Sequence, residues 1–572
     1  MPDANRPAAA PEFPRRYVAP DAVFDTWSAA ETCYRELAER PIESLEDFER
    51  WLMDFSETDA VFDERCAALR IETTRATGDG AVQQRYLDFM QSVYPEREPW
   101  HDKLRRKLVA AADRLPLPEK RYEVLIRGVR NAIELFREEN VPLEVEEAGL
   151  KQRYQQITGK MMVTYDGREM TLQQLASYLE EPDRVVREQT YRLGAERFLQ
   201  DASAIDGIYD KMVHLRDRMA RNAGLANYRD YAFRAMERFD YTPEDCLAFH
   251  DAIEKVVCPA VRQFAEQRRI KLGVERLRPW DMVVDPDNRP PLRPFETVDE
   301  LADGCSVIFH RVHPELGEIF DTLRQRKLLD LGSRKGKAPG GYQETYDARR
   351  EPFIFMNAVG TESDVRTLLH EGGHAFHTWS CRHEPLLAYR HYPIEFAEVA
   401  SMGMELLALP HLEVFYGDET PRAARRFLES IVRFFPYMAC VDALQHWVYT
   451  HVDASPEQRK DKWVELTDRF SPHVDYTGIE DYNRHAWHRK LHFFEVPFYY
   501  VEYGIAQLGA LQVWLNARRN YSEAVALYRN GLALGGCRPL PEIFAAAGLK
   551  FDFTETTLRP LIDAVMEEME KL

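Results

Sequence analysis

Through most of this chain, apolar residues recur every three or four positions, the period that buries one face of a helix. Phe48, Trp51, Leu52 and Phe55 form one such stripe; Tyr122, Leu125, Ile126, Val129 and Ile133 form another. Residues 21 to about 146 keep this pattern. It breaks at residues 160–171, where Met161, Met162 and Val163 lead into Tyr165-Asp166-Gly167, a turn sequence that predicts a small hairpin. Thr171 with Gln174 makes a capping box for the next helix, and helices are expected from about residue 172 to 270. Thr242-Pro243-Glu244-Asp245 starts one of them, with an N-cap, a proline in first position and acids in the first turn. Proline-rich residues 277–296 read as a loop.

Two stretches break the helical monotony later on. Gly336-Lys337-Ala338-Pro339-Gly340-Gly341-Tyr342 cannot be a helix, and Phe353-Ile354-Phe355-Met356 reads as a strand. Two short strands here would present an edge able to hold an extended peptide by main-chain hydrogen bonds, with Gly340, Gly341 and Tyr342 as candidate substrate-binding residues. In residues 363–380 the apolar stripe is Val365, Leu368, Leu369, Phe376 and Trp379, with Gly372 in the remaining turn. Off that stripe lie His370, Glu371 and His374, within the run His370-Glu371-Gly372-Gly373-His374. Residues four apart share a helix face, so both imidazoles can reach one metal ion with Glu371 beside them. Zinc favours such nitrogen ligands and, in catalytic sites, keeps a position open for water, from which Glu371 would take a proton. Two glycines inside a helix cost about 1 kcal/mol each relative to alanine, which points to close approach of another backbone.

Composition narrows the setting. The chain has 572 residues, 30% of them charged and 45% hydrophobic, with a net charge of -20. That acidic balance argues against nucleic acid or an anionic membrane as the main partner. The eight cysteines are scattered without a C-x-x-C pair and read as reduced thiols. Residues 1–20 are rich in Pro and Ala and are expected to form a disordered arm without a signal peptide; with no transmembrane run either, a cytoplasmic enzyme is expected. A helical N-terminal lobe over 21–200 and a catalytic region over 201–572 are the expected division.

A catalytic zinc needs a third protein ligand. A further histidine six residues after His374 would supply it in one known pattern, but Ser380 stands there. His377 lies two turns from His370, too far to share its ion, and is expected to donate a hydrogen bond nearby. The helix over 394–409 offers Glu395, Glu398 and Glu405, among which periodicity does not choose. Ala397, Ala400, Ser401 and Gly403 are small enough to let it pack close to the metal helix.

These residues resemble the thimet oligopeptidase and oligoendopeptidase F family of zinc peptidases. The resemblance rests on the H-E-x-G-H motif, on Phe396-Ala397-Glu398-Val399-Ala400-Ser401, on the Gly-Lys-x-x-Gly-Gly segment, and on His492-Phe493-Phe494-Glu495-Val496-Pro497-Phe498-Tyr499-Tyr500-Val501-Glu502-Tyr503-Gly504. Together these run in consistent order through roughly residues 160–550. The resemblance implies a mainly α, two-lobed helical zinc-peptidase fold with a deep central channel and a small β-sheet near the active site. It selects Glu398 as third ligand to one Zn2+ beside His370 and His374. It implies that His492, Tyr503 and Tyr499 donate hydrogen bonds to the developing oxyanion. It also implies short peptides as substrates, cut internally; a dipeptidyl carboxypeptidase on the same site and an inactive peptide-binding scaffold are the rival readings. Asp364 and Glu405 are the candidate partners for the ligand histidines. In some zinc peptidases an acid stands four residues after the ligand Glu; here that position is Met402.

Overall fold

The computed structural model describes residues 12–572. Residues 1–11 of the expected arm lie outside the described residues. Residues 12–20 contain no helix or strand, yet Val18 is buried and the main-chain N–H groups of Arg16, Tyr17 and Val18 donate to Glu57 at 3.0, 2.9 and 2.8 Å. The rest is mainly helical, as the periodicity predicts. Six helices matter below: α1 (Leu45–Arg75), α2 (Pro243–Leu272), α3 (Val298–Val312), α4 (Glu362–Cys381), α5 (Ile394–Leu407) and α6 (Thr420–Thr450). Helix α2 begins as expected, with Thr242 accepting from the Asp245 N–H and Asp245 closing the box.

The strands are β1 (Met162–Tyr165), β2 (Arg168–Thr171), β3 (Leu329–Gly332), β4 (Tyr342–Tyr346) and β5 (Glu351–Ala358). β1 and β2 form the expected hairpin, pairing Tyr165 with Arg168 across a turn in which Asp166 and Gly167 have φ of 49° and 71°. Positive φ at both central residues is the turn that matches strand twist. The second sheet has the order β3-β5-β4, with β3 parallel and β4 antiparallel to β5. β5 is central, which explains its unbroken apolar run, Phe353 to Met356, all buried. β4 is the edge strand beside it.

The chain packs into two compact units, each drawn from three separated stretches. One takes the chain up to Ile133, Arg293–Thr420 and Gly509–Phe551. Its core includes Phe48, Trp51 and Phe62 of α1, and it holds the β3-β5-β4 sheet, α3, α4 and α5. The other takes Glu134–Leu292, Pro421–Leu508 and Asp552–Leu572, with the hairpin, α2 and nearly all of α6. In this unit the proline-rich loop is pinned rather than loose: buried Asp281 accepts from Arg184 at 2.8 and 2.9 Å and from Arg187 at 3.2 Å. Buried Arg216 likewise reaches Glu147 at 2.8 Å, the Tyr449 hydroxyl at 2.6 Å and the Phe493 carbonyl at 2.9 Å.

Candidate metal centre

Helix α4 starts at a capping box in which Asp364 Oδ2 accepts from the N–H groups of Val359 and Thr361, at 2.9 and 2.8 Å. Those bonds occupy Asp364 in holding the helix start, so it is not the partner of a ligand histidine. Gly372 and Gly373 then set how close the neighbours come. A Cβ on Gly373 would lie 2.5 Å from the Ala400 carbonyl oxygen and 2.6 Å from Ser401 Cα; one on Gly372 would lie 2.6 Å from Phe309 of α3. α4 and α5 therefore touch backbone to backbone at the position where the helix carries its two histidines.

That contact brings His370, His374 and Glu398 together. Glu398 Oε2 lies 3.3 Å from His370 Nε2 and 3.8 Å from His374 Nε2, and all three donor atoms fall within 4.8 Å of one another. Around a tetrahedral zinc, such atoms sit about 3.3 Å apart, so the set needs only a small contraction. Ser401 Oγ donates to Glu398 Oε2 at 3.1 Å and fixes its rotamer. His370 Nδ1 meets Glu405 Oε1 at 2.7 Å, and Arg366 Nε lies 3.3 Å from the other Glu405 oxygen. Glu405 is therefore the residue that orients His370. The Ala397 main chain favours the charged form of the His374 ring, against the larger effect of burial.

The electrostatics suit a cation. Burial disfavours a charged His370, but Glu398 and Glu405 overcome this and push its pKa well up. A pocket that draws a proton between two carboxylates has negative charge to spare. Burial pushes His374 down to about 4, leaving a neutral imidazole. The side chains of His370 and His374 keep 24% and 15% exposure, so the group opens to water on one side. Glu371 is buried, its Oε2 has no hydrogen-bond partner, and burial raises its pKa to about 7. Two imidazole nitrogens and one carboxylate, with an unsatisfied carboxylate alongside, fit a zinc ion as a donor set.

The glycine-rich segment lies against this group. Gly341 runs so near that a Cβ there would be 3.1 Å from Thr367 and 3.6 Å from Glu371 Oε1. The Gln343 main chain favours the charged form of Glu371, against the larger effect of burial. Lys337 is buried, with Nζ donating to the Asp330 carboxylate at 2.9 Å and to the Asp330 and Gly332 carbonyls at 2.8 and 2.9 Å. It is a brace for the loop, a role the sequence pattern did not reveal. Gly340 has φ of +97° and open space beside it. Tyr342 stacks on Phe355, ring centroids 4.8 Å apart, and its hydroxyl lies 2.6 Å from Thr74 Oγ1.

Other expectations change. His377 is fully buried, stacks on Tyr392 with ring centroids 3.4 Å apart, and has no hydrogen-bond partner on either nitrogen, so it packs rather than donates. His492, Tyr499 and Tyr503 lie in the second unit, in an aromatic cluster with Tyr500. His492 is pushed down to about 4 by burial and by Lys490, so its ring is neutral. Phe498, at φ 68°, is held in that strained conformation by Gln445 Oε1 on its N–H at 2.7 Å and Arg238 on its carbonyl at 2.6 Å. A cavity of about 260 Å³ in the first unit is lined by Arg350, Arg382, Arg390, Glu344, Asp347 and Tyr392, among others, and not by the three grouped donors. None of the eight cysteines forms a disulfide, and among the described residues no helix is long and apolar enough to cross a membrane.

The family model described as peptidase family M3 matches residues 177–561. The chain is 24% identical over 370 residues to an oligoendopeptidase F homolog of Lactococcus lactis subsp. lactis, covering 62% of this chain and 57% of that protein. It is 23% identical over 415 residues to the plasmid oligoendopeptidase F of Lactococcus lactis subsp. cremoris, covering 69% and 66%. The matched stretches thus span less than two thirds of these curated relatives. Among solved structures, Pz peptidase A with an inhibitor superposes with a TM-score of 0.86 at 26% identity, covering 95% of this chain and 96% of that one.

Proposed function

Because this chain belongs to peptidase family M3, we propose that it is a zinc-dependent oligoendopeptidase that hydrolyses internal bonds of short peptides. The observation that carries this reading is the convergence of His370, His374 and Glu398 beside a buried carboxylate, Glu371, with an unpartnered oxygen. Zinc, when bound, supplies the positive charge that acidifies the attacking water and polarises the scissile carbonyl. His370, His374 and Glu398 hold the ion, while Glu405 and Ser401 fix two of those ligands. Glu371 takes the water proton and hands it to the leaving amine. The edge strand β4 offers main-chain groups to an extended peptide, and Gly340 and Gly341 leave room for it next to Glu371. The roles of His492, Tyr503 and Tyr499 as donors to the oxyanion rest on the resemblance of their segment. A narrow channel would restrict the enzyme to short chains.

The carboxypeptidase reading has one observation in its favour: the Arg350, Arg382 and Arg390 guanidinium groups around one cavity are the kind of charge a free C-terminus needs. A product map separates the two. Peptides of graded length, with free and blocked C-termini, are digested with and without a zinc chelator and read by mass spectrometry. Chelator-sensitive internal cuts that fade as the peptides lengthen are expected. Stepwise release of C-terminal dipeptides, stopped by blocking the C-terminus, would move the assignment to the carboxypeptidase.

A further inference from the structure

The second unit holds another group of metal-type donors, which the peptide chemistry does not use. Helix α2 carries Cys246 and His250, four residues apart; helix α6 carries Asp442 and His446, also four apart. Both pairs present one face. All four residues are buried, at 1%, 1%, 0% and 3% exposure. Donor atoms of Cys246, Asp442 and His446 lie within 4.8 Å of one another.

Several contacts in this cluster are incomplete. Asp442 Oδ2 meets His250 Nε2 at 2.9 Å, but Asp442 Oδ1 has no hydrogen-bond partner. His446 Nε2 lies 3.2 Å from Asp442 Oδ2 without hydrogen-bond geometry, and neither of its ring nitrogens has a partner. A buried carboxylate needs a matching positive charge, and buried polar atoms need partners. The surroundings are dry: Phe233, Phe470 and Phe498 pack against the two imidazoles at 5.3–6.5 Å between centroids.

We propose that Cys246, Asp442 and His446 bind a second divalent cation, of the zinc class, as a structural tie between α2 and α6. A sulfur, a nitrogen and an oxygen donor together select zinc or a similar borderline metal over magnesium or calcium. Around such an ion these atoms would sit about 3.3–3.7 Å apart, so the ion draws the three inward by up to about an ångström. Asp442 binds through Oδ1, while His250 keeps its hydrogen bond to Oδ2 and orients the carboxylate. The Asp442 and His446 gaps are filled by the same ion.

The thiolate makes the test specific, since the first site has none. The full chain is produced in cobalt-supplemented minimal medium, and its absorption spectrum and metal content per chain are measured. The expected result is two ions per chain and a thiolate-to-cobalt charge-transfer band in the near ultraviolet. Cys246→Ser should remove the band and one ion, whereas His374→Ala should remove the other ion and keep the band. Absence of the band from the wild-type chain overturns the proposal whatever the ion count, and it does so without any variant having to fold. One ion with the band present would uphold this site and overturn the zinc reading of His370, His374 and Glu398.

Discussion

The two donor clusters are built alike and finished differently. Each joins a pair of side chains four residues apart on one helix to donors from a neighbouring helix. In the first, the helices touch at Gly373, the histidines stay 15–24% exposed, and Glu371 waits with an open oxygen. In the second, phenylalanines close over the group, and no donor exceeds 3% exposure. The difference is that between a catalytic and a structural metal site: ligand type alone does not decide the chemistry, but access of water and of a spare base does. On this view a chelator should strip the first site quickly and reach the second only when the protein unfolds.

The sharpest way to break the comparison is to remove the base. Glu371→Gln should lower kcat by about 10²–10⁴ while metal content stays unchanged, measured on a quenched fluorescent peptide and by elemental analysis of the same sample. Undiminished turnover would make Glu371 a bystander and leave the open site without its defining feature. Next in size is the third ligand. Glu398→Ala should abolish stoichiometric metal at the first site, and Glu395→Ala should not. The opposite outcome would shift the ligand by one turn of α5 and uncouple it from Ser401.

How much of this could be read along the chain differs between the clusters. His370 and His374 lie in one motif, and the stripe of Val365, Leu368, Leu369 and Phe376 marked their helix, so a local pattern sufficed. The close approach at Gly373 was also legible, because a mid-helix glycine costs stability unless something needs the space. Periodicity did not choose Glu398 over Glu395 and Glu405, since all three share one short helix and the outcome depends on the crossing with α4; only the family resemblance of its segment selected it. Cys246 and Asp442 are 196 positions apart, so only the fold makes them neighbours; each taken singly is an ordinary buried residue. Lys337 was silent in another way: nothing in the pattern of a glycine-rich loop says that its lysine turns inward to Asp330. The assembly of each unit from three distant stretches likewise leaves no trace in periodicity.

That brace yields the third prediction. The open site depends on support from outside itself, the Asp330–Lys337 pair, whereas the sealed one is enclosed by its own walls. Burial raises the Asp330 pKa, but Arg334, Lys337 and Arg75 outweigh it and hold the carboxyl well below its usual range. A folded-state pKa below the unfolded value of about 3.9 gives stability that is present above that pH and lost as the pH falls through the folded value. Asp330→Asn should therefore cost about 3 kcal/mol at neutral pH, because it leaves a buried ammonium poorly paired. The gap between the variant and the wild type should close only in strong acid. Denaturant melts at neutral pH and at successively lower pH would show it; a gap independent of pH would mean that the ion pair is not what steadies the loop beside Glu371.

The smallest effect tests what the clusters share. In each, one residue orients a ligand without binding the ion: Glu405 for His370, and His250 for Asp442. Glu405→Gln keeps the shape and a carbonyl acceptor for His370 Nδ1–H but loses the charge that strengthens that bond. Zinc affinity at the first site should fall about 10–100-fold, measured by competition with a chromophoric chelator, with kcat at saturating zinc much less affected. A matching loss of kcat at saturating zinc would show that Glu405 acts on the reaction and not only on the ligand. An unchanged affinity would mean that α4 and the Gly373 contact alone hold His370 in place. The open site would then owe its geometry to backbone packing, as the sealed one owes its own to the aromatic rings around it.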